Sequence, residues 1–489
     1  MAPLTSPGLA QIRREVAPVR PDLFLHLAAA GPRGFWASAH RWIAHCGVVG
    51  EVAVDSGAPD PGSSRFSTVQ DQSAQVFARV RGDGARARLF GGFSFSPRPD
   101  GDSVWARFPP ALFHLPEVEL EHHPEREVCT LVVRARDRGA AEVAWRRWAG
   151  ALSGGTAAMP PGSTLLQGGP GSLQAGTGSL RGPASSVPHG AAPVRGPDQA
   201  PPLGYARRSG TERATWGRMV WEALSTIGAG EAEKVVLART LDVAPAIPVP
   251  PADLVAALWE ENHGSHVFLF EPVPGRAIVG AAPETIVTLA GGVFRATATA
   301  GSAAVGADSV ATAQLARRLF DSEKDRAEHD VVVRDMVARL AALGCTVRRD
   351  VEPHVLALAR IQHLETKIAA EVPEGISVLD ILASLHPTPA VCGMPRNVAL
   401  SVLEESERFD RGWYSGPVGW FDSRGEGIFV PALRSAVSAG AGWRLFAGAG
   451  IVPGSDPALE WEETELKFRP VLRALERAGA TGSSAAGSG

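Results

Sequence analysis

Residues 416–479 read GPVGWFDSRGEGIFVPALRSAVSAGAGWRLFAGAGIVPGSDPALEWEETELKFRPVLRALERAG, and their pattern decides the fold class. The part up to residue 452 predicts three consecutive strands, which the short turns SRGEG and GAG make antiparallel. A helix is predicted after them, because Asp456 is a typical N-cap and Pro457 fits the first helical position. Antiparallel strands alternating with long helices predict an α+β fold with large antiparallel sheets, rather than a doubly wound one.

The same alternation extends upstream over residues 206–415. Apolar runs predict strands at EKVVLART, VFLFEP and AIVGAAPETIVTL, the last turning through Ala290-Gly291-Gly292 into a hairpin with VFRATATAGS. A helix is predicted from Ser322, which forms a capping-box pattern with Asp325, to Gly344 at its C-terminal end.

A change in composition divides the chain. Residues 151–205 are rich in Gly, Pro and Ser and can bury too little surface to offset their ordering entropy, so we expect a disordered linker or insertion. An ordered loop is the alternative. We expect residues 1–150 to be a scaffold part of the fold, residues 206–479 to be catalytic, and residues 480–489 to form a flexible tail.

The bulk properties narrow the function. The 489 residues carry a net charge of -4, which gives no general attraction to nucleic acid or to an anionic membrane. No apolar run is long enough to span a bilayer, and the N-terminus lacks the apolar core of a secretory signal. The four cysteines are far apart without a CxxC pair, so we expect neither disulfides nor zinc, and a cytoplasmic location.

Carboxylates in two predicted helices form the first candidate site. Glu460, Glu463 and Lys467 share one helix face, and Asp325 and Glu328 share another. The glycine-rich AGAGIVPGS before the last helix suits an anion, and carboxylates beside an anion imply a cation between them. Hard oxygen ligands without histidines favour magnesium over zinc. The alternative is a solvated, charged helix surface.

Two further residues could act as a base and an acid. Lys234 begins the apolar strand VVLA, and Glu284 lies among small residues in AAPET. A buried lysine can serve as a general base, and a carboxyl on a separate strand can serve as the acid. Each could equally be an exposed residue at a strand end.

From Arg207 to about Gly479 the chain resembles the chorismate-utilising enzymes, which include isochorismate synthases, salicylate synthases and the large components of anthranilate and aminodeoxychorismate synthases. The matching segments, in family order, are EKVVLAR, VGAAPE, ATAGS, KDRAEHDVVV, IQHLETK, LHPTPAVCGMPR, GPVGWFD, ALRSA and LFAGAGIVPGSDPALEWEETELK. The resemblance implies an α+β fold with large antiparallel sheets and helices around a deep active-site cleft.

The resemblance also implies the reaction. Lys234 stands where ammonia-using members look different, and LHPTPAVCG at 385–393 resembles the isochorismate synthase form. Both imply water as the nucleophile, chorismate and isochorismate as the ligands, and no obligatory glutaminase subunit. The stretches GFWAS and LFGGFSFSP look like those of the menaquinone-pathway synthases. The alternatives are a siderophore-pathway isochorismate synthase, a salicylate synthase and an inactive chorismate-binding protein.

The roles implied by the resemblance are as follows. Lys234 is expected to activate water for attack at ring C2, and Glu284 to protonate the departing C4 hydroxyl. Magnesium is expected on Glu328 and Glu463, with Asp325 and Glu460 in the outer shell. Substrate binding is expected to involve Ser302, His363, Arg434, Lys467 and the backbone near Gly448 and Gly450.

Overall fold

The computed structural model describes residues 8–55, 64–83, 86–97, 102–154, 205–357 and 361–486. Up to residue 154, the elements in chain order are β1 (Leu9–Val16), α1 (Pro21–Leu27), β2 (Arg33–Ser38), β3 (Arg41–Cys46), β4 (Gly50–Val54), α2 (Arg65–Phe77), β5 (Val80–Gly82), β6 (Arg88–Phe93), a short helical turn (Ser103–Trp105), β7 (Ala111–Leu115), β8 (Val118–His123), β9 (Val128–Ala135) and α3 (Arg138–Gly154).

The second part of the chain begins at residue 205. Its elements are β10 (Tyr205–Ser209), α4 (Arg213–Gly228), β11 (Lys234–Pro245), α5 (Pro251–Glu261), β12 (His266–Val273), β13 (Arg276–Ala282), β14 (Val287–Ala290), β15 (Val293–Ala304), α6 (Ser309–Asp321), α7 (Glu323–Ala342), β16 (Thr346–Arg349), β17 (His354–Ala357), β18 (Ile361–Glu371), α8 (Val378–Leu385), β19 (Gly393–Met394), α9 (Arg396–Ser406), β20 (Pro417–Asp422), β21 (Gly427–Pro431), β22 (Ser435–Ala439), β23 (Gly442–Ile451) and α10 (Pro457–Ala486).

Two large sheets organise these elements. The first has the order β10-β11-β23-β22-β13-β12-β2-β3-β8-β9-β1-β5, with β19 paired to β11. The second has the order β16-β18-β15-β14-β21-β20-β6-β7-β4, with β17 paired to β18. The strands pair antiparallel, except that β1 and β5 are parallel. Together with the helices packed on these sheets, this arrangement confirms the predicted α+β class.

The chain crosses between the two sheets at two adjacent places. AIVGAAPETIVTL, predicted as one strand, is two strands, β13 in the first sheet and β14 in the second. Likewise, the three strands predicted over residues 416–452 are four, with β20 and β21 in the second sheet and β22 and β23 in the first. Pro283 lacks the N–H that would continue β13, and Arg434 adopts a left-handed φ of 47° before β22.

The two crossings run side by side. β13 pairs with β22 in the first sheet, and β14 pairs with β21 in the second. The segments between them, with Glu284 on one and Arg434 on the other, therefore lie where the sheets meet. Strand alternation alone does not reveal such a change of sheet, so the sequence pattern missed both crossings.

Helix ends follow the sequence signals at three of four places. Ser322 accepts a hydrogen bond from Asp325 N at the start of α7, and Gly344 follows that helix with a φ of 79°. Asp456 Oδ1 accepts hydrogen bonds from Ala458 N and Leu459 N at the start of α10. That helix continues to Ala486, past the expected end, because Gly479 does not adopt the left-handed conformation that would stop it.

The expected linker and tail lie partly in regular structure. Residues 151–154 end α3 and Tyr205 begins β10, whereas the rest of the segment 151–205 is outside the described residues. Residues 480–486 belong to α10, and residues 487–489 are again outside the description. Among the helices that are described, none is both long and apolar enough to cross a bilayer.

An aromatic core fills the space between the sheets. It includes the stacked pair Phe270 and Trp413, with ring centroids 5.4 Å apart, and the pair Tyr414 and Phe446 at 4.9 Å. Helices α5 and α10 pack on the outer side of the first sheet, and α7 and α8 contact the second. The aromatic layer closes one side of a cavity between the sheets.

Candidate active site

A cavity opens between the two sheets, and its empty space, including the part open to solvent, is about 690 Å³. Its wall combines both sheet crossings with β15, β18, β23, α7 and α10. Most of the sequence-predicted site residues line it: Glu284, Ser302, Glu328, His363, Arg434, Gly448, Gly450, Glu463 and Lys467. The sheets and the two long helices thus bring together residues that are far apart in the chain.

Lys234 lies directly behind the cavity wall. It begins β11, its side chain is 1% exposed, and its Nζ forms an ion pair with Glu328 Oε1 at 2.9 Å. Gly450 makes room for this pair, because a Cβ at that position would lie 2.1 Å from Glu328 Oε1 and 2.9 Å from Lys234 Cε. Only glycine fits at this point of β23, which explains one of the glycines in AGAGIV.

Glu284 lies in the first crossing, between β13 and β14, and is buried. Burial raises the pKa of its carboxyl from 4.5 to about 8, although the charges of Lys234 and Lys467 act in the opposite direction. The carboxyl therefore keeps its proton at neutral pH. A protonated carboxyl in a cavity that holds a lysine is a suitable proton donor for a bound substrate.

The carboxylates of α7 and α10 are close enough to influence one another, and of these Glu328 and Glu463 line the cavity whereas Asp325 and Glu460 do not. Burial and the nearby charges of Glu328 and Glu463 raise the pKa of Asp325. The pKa of Glu460 is also raised, by burial and by Glu463. Lys324, which the sequence analysis did not single out, donates to Glu460 Oε1 over 2.7 Å.

These carboxylates suit a hard divalent cation. Glu328 and Glu463 reach the cavity from separate helices, and magnesium typically uses one or two carboxylates and keeps several waters. No group of three or more His, Cys, Asp and Glu side chains in the described ranges is close enough to hold a metal by itself. Glu328 and Glu463 are oxygen donors of the type that magnesium prefers.

Lys467 connects α10 to the glycine-rich strand β23. Its Nζ pairs with Glu463 Oε1 at 2.6 Å and donates to Gly448 O at 2.8 Å. Burial lowers the pKa of the Lys467 amine, whereas the nearby Glu463 carboxylate raises it. The pKa is raised overall. The side chain therefore stays charged where an anionic substrate would lie.

Ser302, His363 and Arg434 form a connected group on the opposite wall. His363 Nδ1 lies 3.0 Å from Gly301 O and 3.1 Å from Ser302 Oγ, and Nε2 accepts a short hydrogen bond from Arg434 Nη2. Burial, together with the charges of Arg434 and Lys467, lowers the pKa of His363 well below 6.5. The neutral ring thus carries its proton on Nδ1, donates it to Gly301 O and orients the Arg434 guanidinium.

Arg434 keeps its charge although it is buried. Burial lowers its pKa to about 10, so the guanidinium remains protonated at neutral pH. The backbone of Arg434 is left-handed in this crossing, and its positively charged side chain lines the cavity. A carboxylate is the natural partner for such a group.

Several residues of the site carried no sequence signal. Tyr414 lines the cavity immediately before GPVGWFD, and its ring stacks on Phe446. Arg411 donates from Nη1 to Val391 O over 2.8 Å and from Nη2 to Val236 O over 2.7 Å. It thereby joins the segment 385–393 to the strand of Lys234, a contact between distant parts of the chain that no local pattern reveals.

Comparison with known proteins identifies the family to which this chain belongs. The chorismate binding enzyme family matches residues 3–154 and 193–476. The salicylate biosynthesis isochorismate synthase of Pseudomonas aeruginosa is 39% identical over 272 residues, 55% of this chain and 56% of the relative. Isochorismate synthase MenF of Bacillus subtilis is 36% identical, over 54% of this chain and 56% of the relative. The matched segment thus spans little more than half the length of either.

Isochorismate synthase EntC of Escherichia coli is 34% identical, over 54% of this chain and 68% of the relative. Among solved structures, the menaquinone-specific isochorismate synthase MenF from Escherichia coli shares the fold. It has a TM-score of 0.72 at 24% identity and covers 96% of this chain and 95% of its own. Anthranilate synthase component I from Streptococcus pneumoniae has a TM-score of 0.66 at 17% identity, covering 89% and 93%. Because the family match extends over both parts of the sequence and most of its length, this protein belongs to the chorismate binding enzyme family.

Proposed function

We propose that this protein is an isochorismate synthase that converts chorismate to isochorismate reversibly. The observation that carries the proposal is Glu284, a carboxyl that burial keeps protonated at neutral pH, in the wall of the cavity behind which the amine of Lys234 is buried. The three relatives described above are named isochorismate synthases, which supports the same activity.

In this proposal Lys234 and Glu284 each carry out one proton transfer. Lys234, as the neutral amine, accepts the proton of the water that attacks ring C2, and Glu284 protonates the hydroxyl leaving C4. Hydroxide is a poor leaving group, so the acid is needed, and each partner typically contributes about 10²–10⁴-fold. In the reverse direction the residues exchange roles, because one hydroxyl enters as another leaves.

The cationic residues bind the two carboxylates of chorismate. Arg434, oriented by His363, and Lys467, held beside Gly448, provide two fixed positive charges in the cavity. Fixed charges hold an anionic substrate in one orientation without reorganisation during the reaction. The backbone at Gly448 and Gly450 lines the same end of the cavity.

We propose magnesium as the cofactor, held by Glu328 and Glu463, with Asp325 and Glu460 acting through water. Magnesium supplies a positive charge that neutralises the ring carboxylate and draws electron density from the ring. The support is the pair of carboxylates that α7 and α10 contribute to the cavity wall and the raised pKa values of Asp325 and Glu460.

We further propose that the product feeds menaquinone synthesis, with siderophore or salicylate synthesis as the alternative. The menaquinone choice rests on the GFWAS and LFGGFSFSP stretches in β2 and β6, and the name of the Pseudomonas aeruginosa relative supports the alternative. Four free cysteines, all buried, suit a cytoplasmic enzyme. Water as nucleophile requires no ammonia source and hence no glutaminase subunit.

Product identification tests the proposal. The purified full chain is incubated with chorismate and magnesium, and the products are separated chromatographically, with a parallel reaction in which a chelator removes the metal. We expect isochorismate only with magnesium, and the same equilibrium mixture from either direction. Pyruvate and salicylate without a second enzyme would show a salicylate synthase, and an aminated product with ammonia would show an amine-transferring enzyme.

A further inference from the structure

One residue of the cavity wall has a hydroxyl without a hydrogen-bond partner among the described residues. Thr299, on β15, lines the cavity and is 8% exposed, and its buried Oγ1 has no hydrogen-bond partner within the part of the chain that the structure describes. Buried polar atoms without a partner are unfavourable and rare in folded proteins. In the wall of an active site, a bound ligand can supply the missing hydrogen-bond partner of such a hydroxyl.

Thr299 and Glu284 line the same cavity. Thr288 on β14 pairs with Arg295 on β15, and before β14 the pairing shifts by one residue, since Thr297 N donates to Thr285 O over 3.3 Å. The chain stays close to β15 beyond the end of β14, because Thr285 N donates to Thr297 Oγ1 over 3.2 Å. Glu284, one residue from Thr285, and Thr299, two residues from Thr297, therefore lie near one another in the cavity wall.

The chemistry at Glu284 requires a neutral acceptor. The hydroxyl that Glu284 protonates already carries one hydrogen, which needs an acceptor when the oxygen takes a second. Arg434 and Lys467 can only donate, and Ser302 Oγ already lies in hydrogen-bond contact with His363. Thr299 Oγ1 is an uncharged acceptor with no other partner among the described residues.

We propose that Thr299 Oγ1 accepts a hydrogen bond from the ring C4 hydroxyl of the substrate and so orients that oxygen toward Glu284. The C4–O bond breaks with its electron pair on oxygen, Glu284 supplies the second hydrogen, and water leaves. In the reverse direction Thr299 orients the attacking water. The assignment rests on the proposed function, since it identifies the leaving hydroxyl of that reaction.

Two substitutions of Thr299 separate the hydroxyl from its methyl group. Thr299→Val keeps the shape and removes the acceptor, and Thr299→Ser keeps the acceptor. We expect Thr299→Val to lower kcat/KM for chorismate about ten-fold, the usual effect of one lost hydrogen bond, and Thr299→Ser to stay within about three-fold of wild type. Thr288→Val, on the neighbouring strand outside the cavity, serves as the matched control and should change neither kcat nor KM.

Two ligands, one with and one without the C4 hydroxyl, test the contact between Thr299 and that hydroxyl. Calorimetric titration with magnesium present compares chorismate with its analogue lacking the C4 hydroxyl. We expect Thr299→Val to weaken chorismate about ten-fold and to leave the affinity for the analogue unchanged. An equal change for both ligands, or no change for either, would overturn the assignment of Thr299.

The same titration separates this inference from the proposed function. If the wild-type protein binds chorismate but forms no isochorismate, the proposed activity is wrong, and the ligand pair still decides whether Thr299 contacts the hydroxyl. If the wild-type protein does not bind chorismate, both proposals are wrong. Thermal unfolding of each variant shows whether a lost signal reflects a lost fold.

Discussion

At the scale of single residues, the cavity contains buried ionisable groups in opposite protonation states. Glu284 has no cationic partner in contact within the described ranges and keeps its proton, whereas Glu328 and Glu463 are each paired with a lysine. The sequence marked all three as candidates, but it could not assign their protonation states, which depend on burial and on neighbours from distant strands. Thr299, in an apolar strand, and Tyr414, in the turn before β20, were missed because nothing in the local sequence distinguishes their uncharged hydroxyls from those of other core residues.

The protonation of Glu284 predicts a specific pH dependence of stability. The folded carboxyl holds its proton up to pH about 8, whereas the unfolded one loses it near 4.5. The folded state therefore binds more protons between these values, and the free energy of unfolding falls as the pH rises from 4.5 to 8. Glu284→Gln, which mimics the protonated carboxyl, should lose this part of the dependence and should be more stable than wild type above pH 8.

Denaturant unfolding across this pH range measures the difference between the two proteins. The same variant should retain the fold but lose about 10²–10⁴-fold in kcat, because glutamine cannot give up a proton to the leaving hydroxyl. Parallel pH curves for wild type and Glu284→Gln would contradict a protonated Glu284 in the folded protein.

At the scale of elements, the two sheet crossings matter most. Periodicity in the sequence correctly placed strands and helices, including the Gly291-Gly292 hairpin, whose glycines have φ values of 60° and 72°. It failed where a strand stops in one sheet and continues in the other. Pro283 and the left-handed Arg434 are the local causes, and only the pairing of β13 with β22 and of β14 with β21 reveals the result.

Strand β23 offers a prediction at this scale. In Gly450→Ala, the new methyl group would overlap the Glu328 carboxylate and approach the Lys234 side chain. Because the clash is with flexible side-chain ends, we expect the fold to survive and the Lys234–Glu328 pair to be displaced. Activity should fall at least about a hundred-fold, since misplaced catalytic groups lose about that much.

Gly217→Ala is the matched control for this substitution. A Cβ at Gly217, within α4, meets no other atom within 4 Å. Alanine is the better helix former, so this variant should be as stable as wild type or more stable by about 0.5–1 kcal/mol, with unchanged kinetics. Normal turnover in Gly450→Ala would show that the Lys234–Glu328 contact is dispensable for the reaction.

At the scale of the whole molecule, the two parts of the chain share both sheets. β2 pairs with β12 in the first sheet, and β6 pairs with β20 in the second. The division into a scaffold part and a catalytic part therefore describes where the site residues lie in the sequence. No local sequence pattern indicates these pairings, because they join strands separated by hundreds of residues.

This sharing predicts the behaviour of a truncated protein. Residues 206–489 alone would leave β12 and β20 with unpaired edges and would uncover the apolar layer around Phe270 and Trp413. We expect this fragment to be insoluble or to lack the near-ultraviolet circular dichroism of fixed aromatic side chains. Co-expression with residues 1–154 should restore soluble protein, and a fragment that unfolds cooperatively and is active by itself would refute the expectation.

The paired crossings between the sheets also bear on how the enzyme loses activity with heat. Glu284 and Arg434 are carried by backbone that belongs to both layers, so their separation is fixed by the same contacts that keep the layers aligned. Enzymes whose reactive groups are on peripheral loops commonly become inactive well before they melt. We therefore expect inactivation and unfolding of this protein to have the same midpoint temperature. The activity that remains after brief heating should then measure the fraction of molecules in which the two sheets are still packed together.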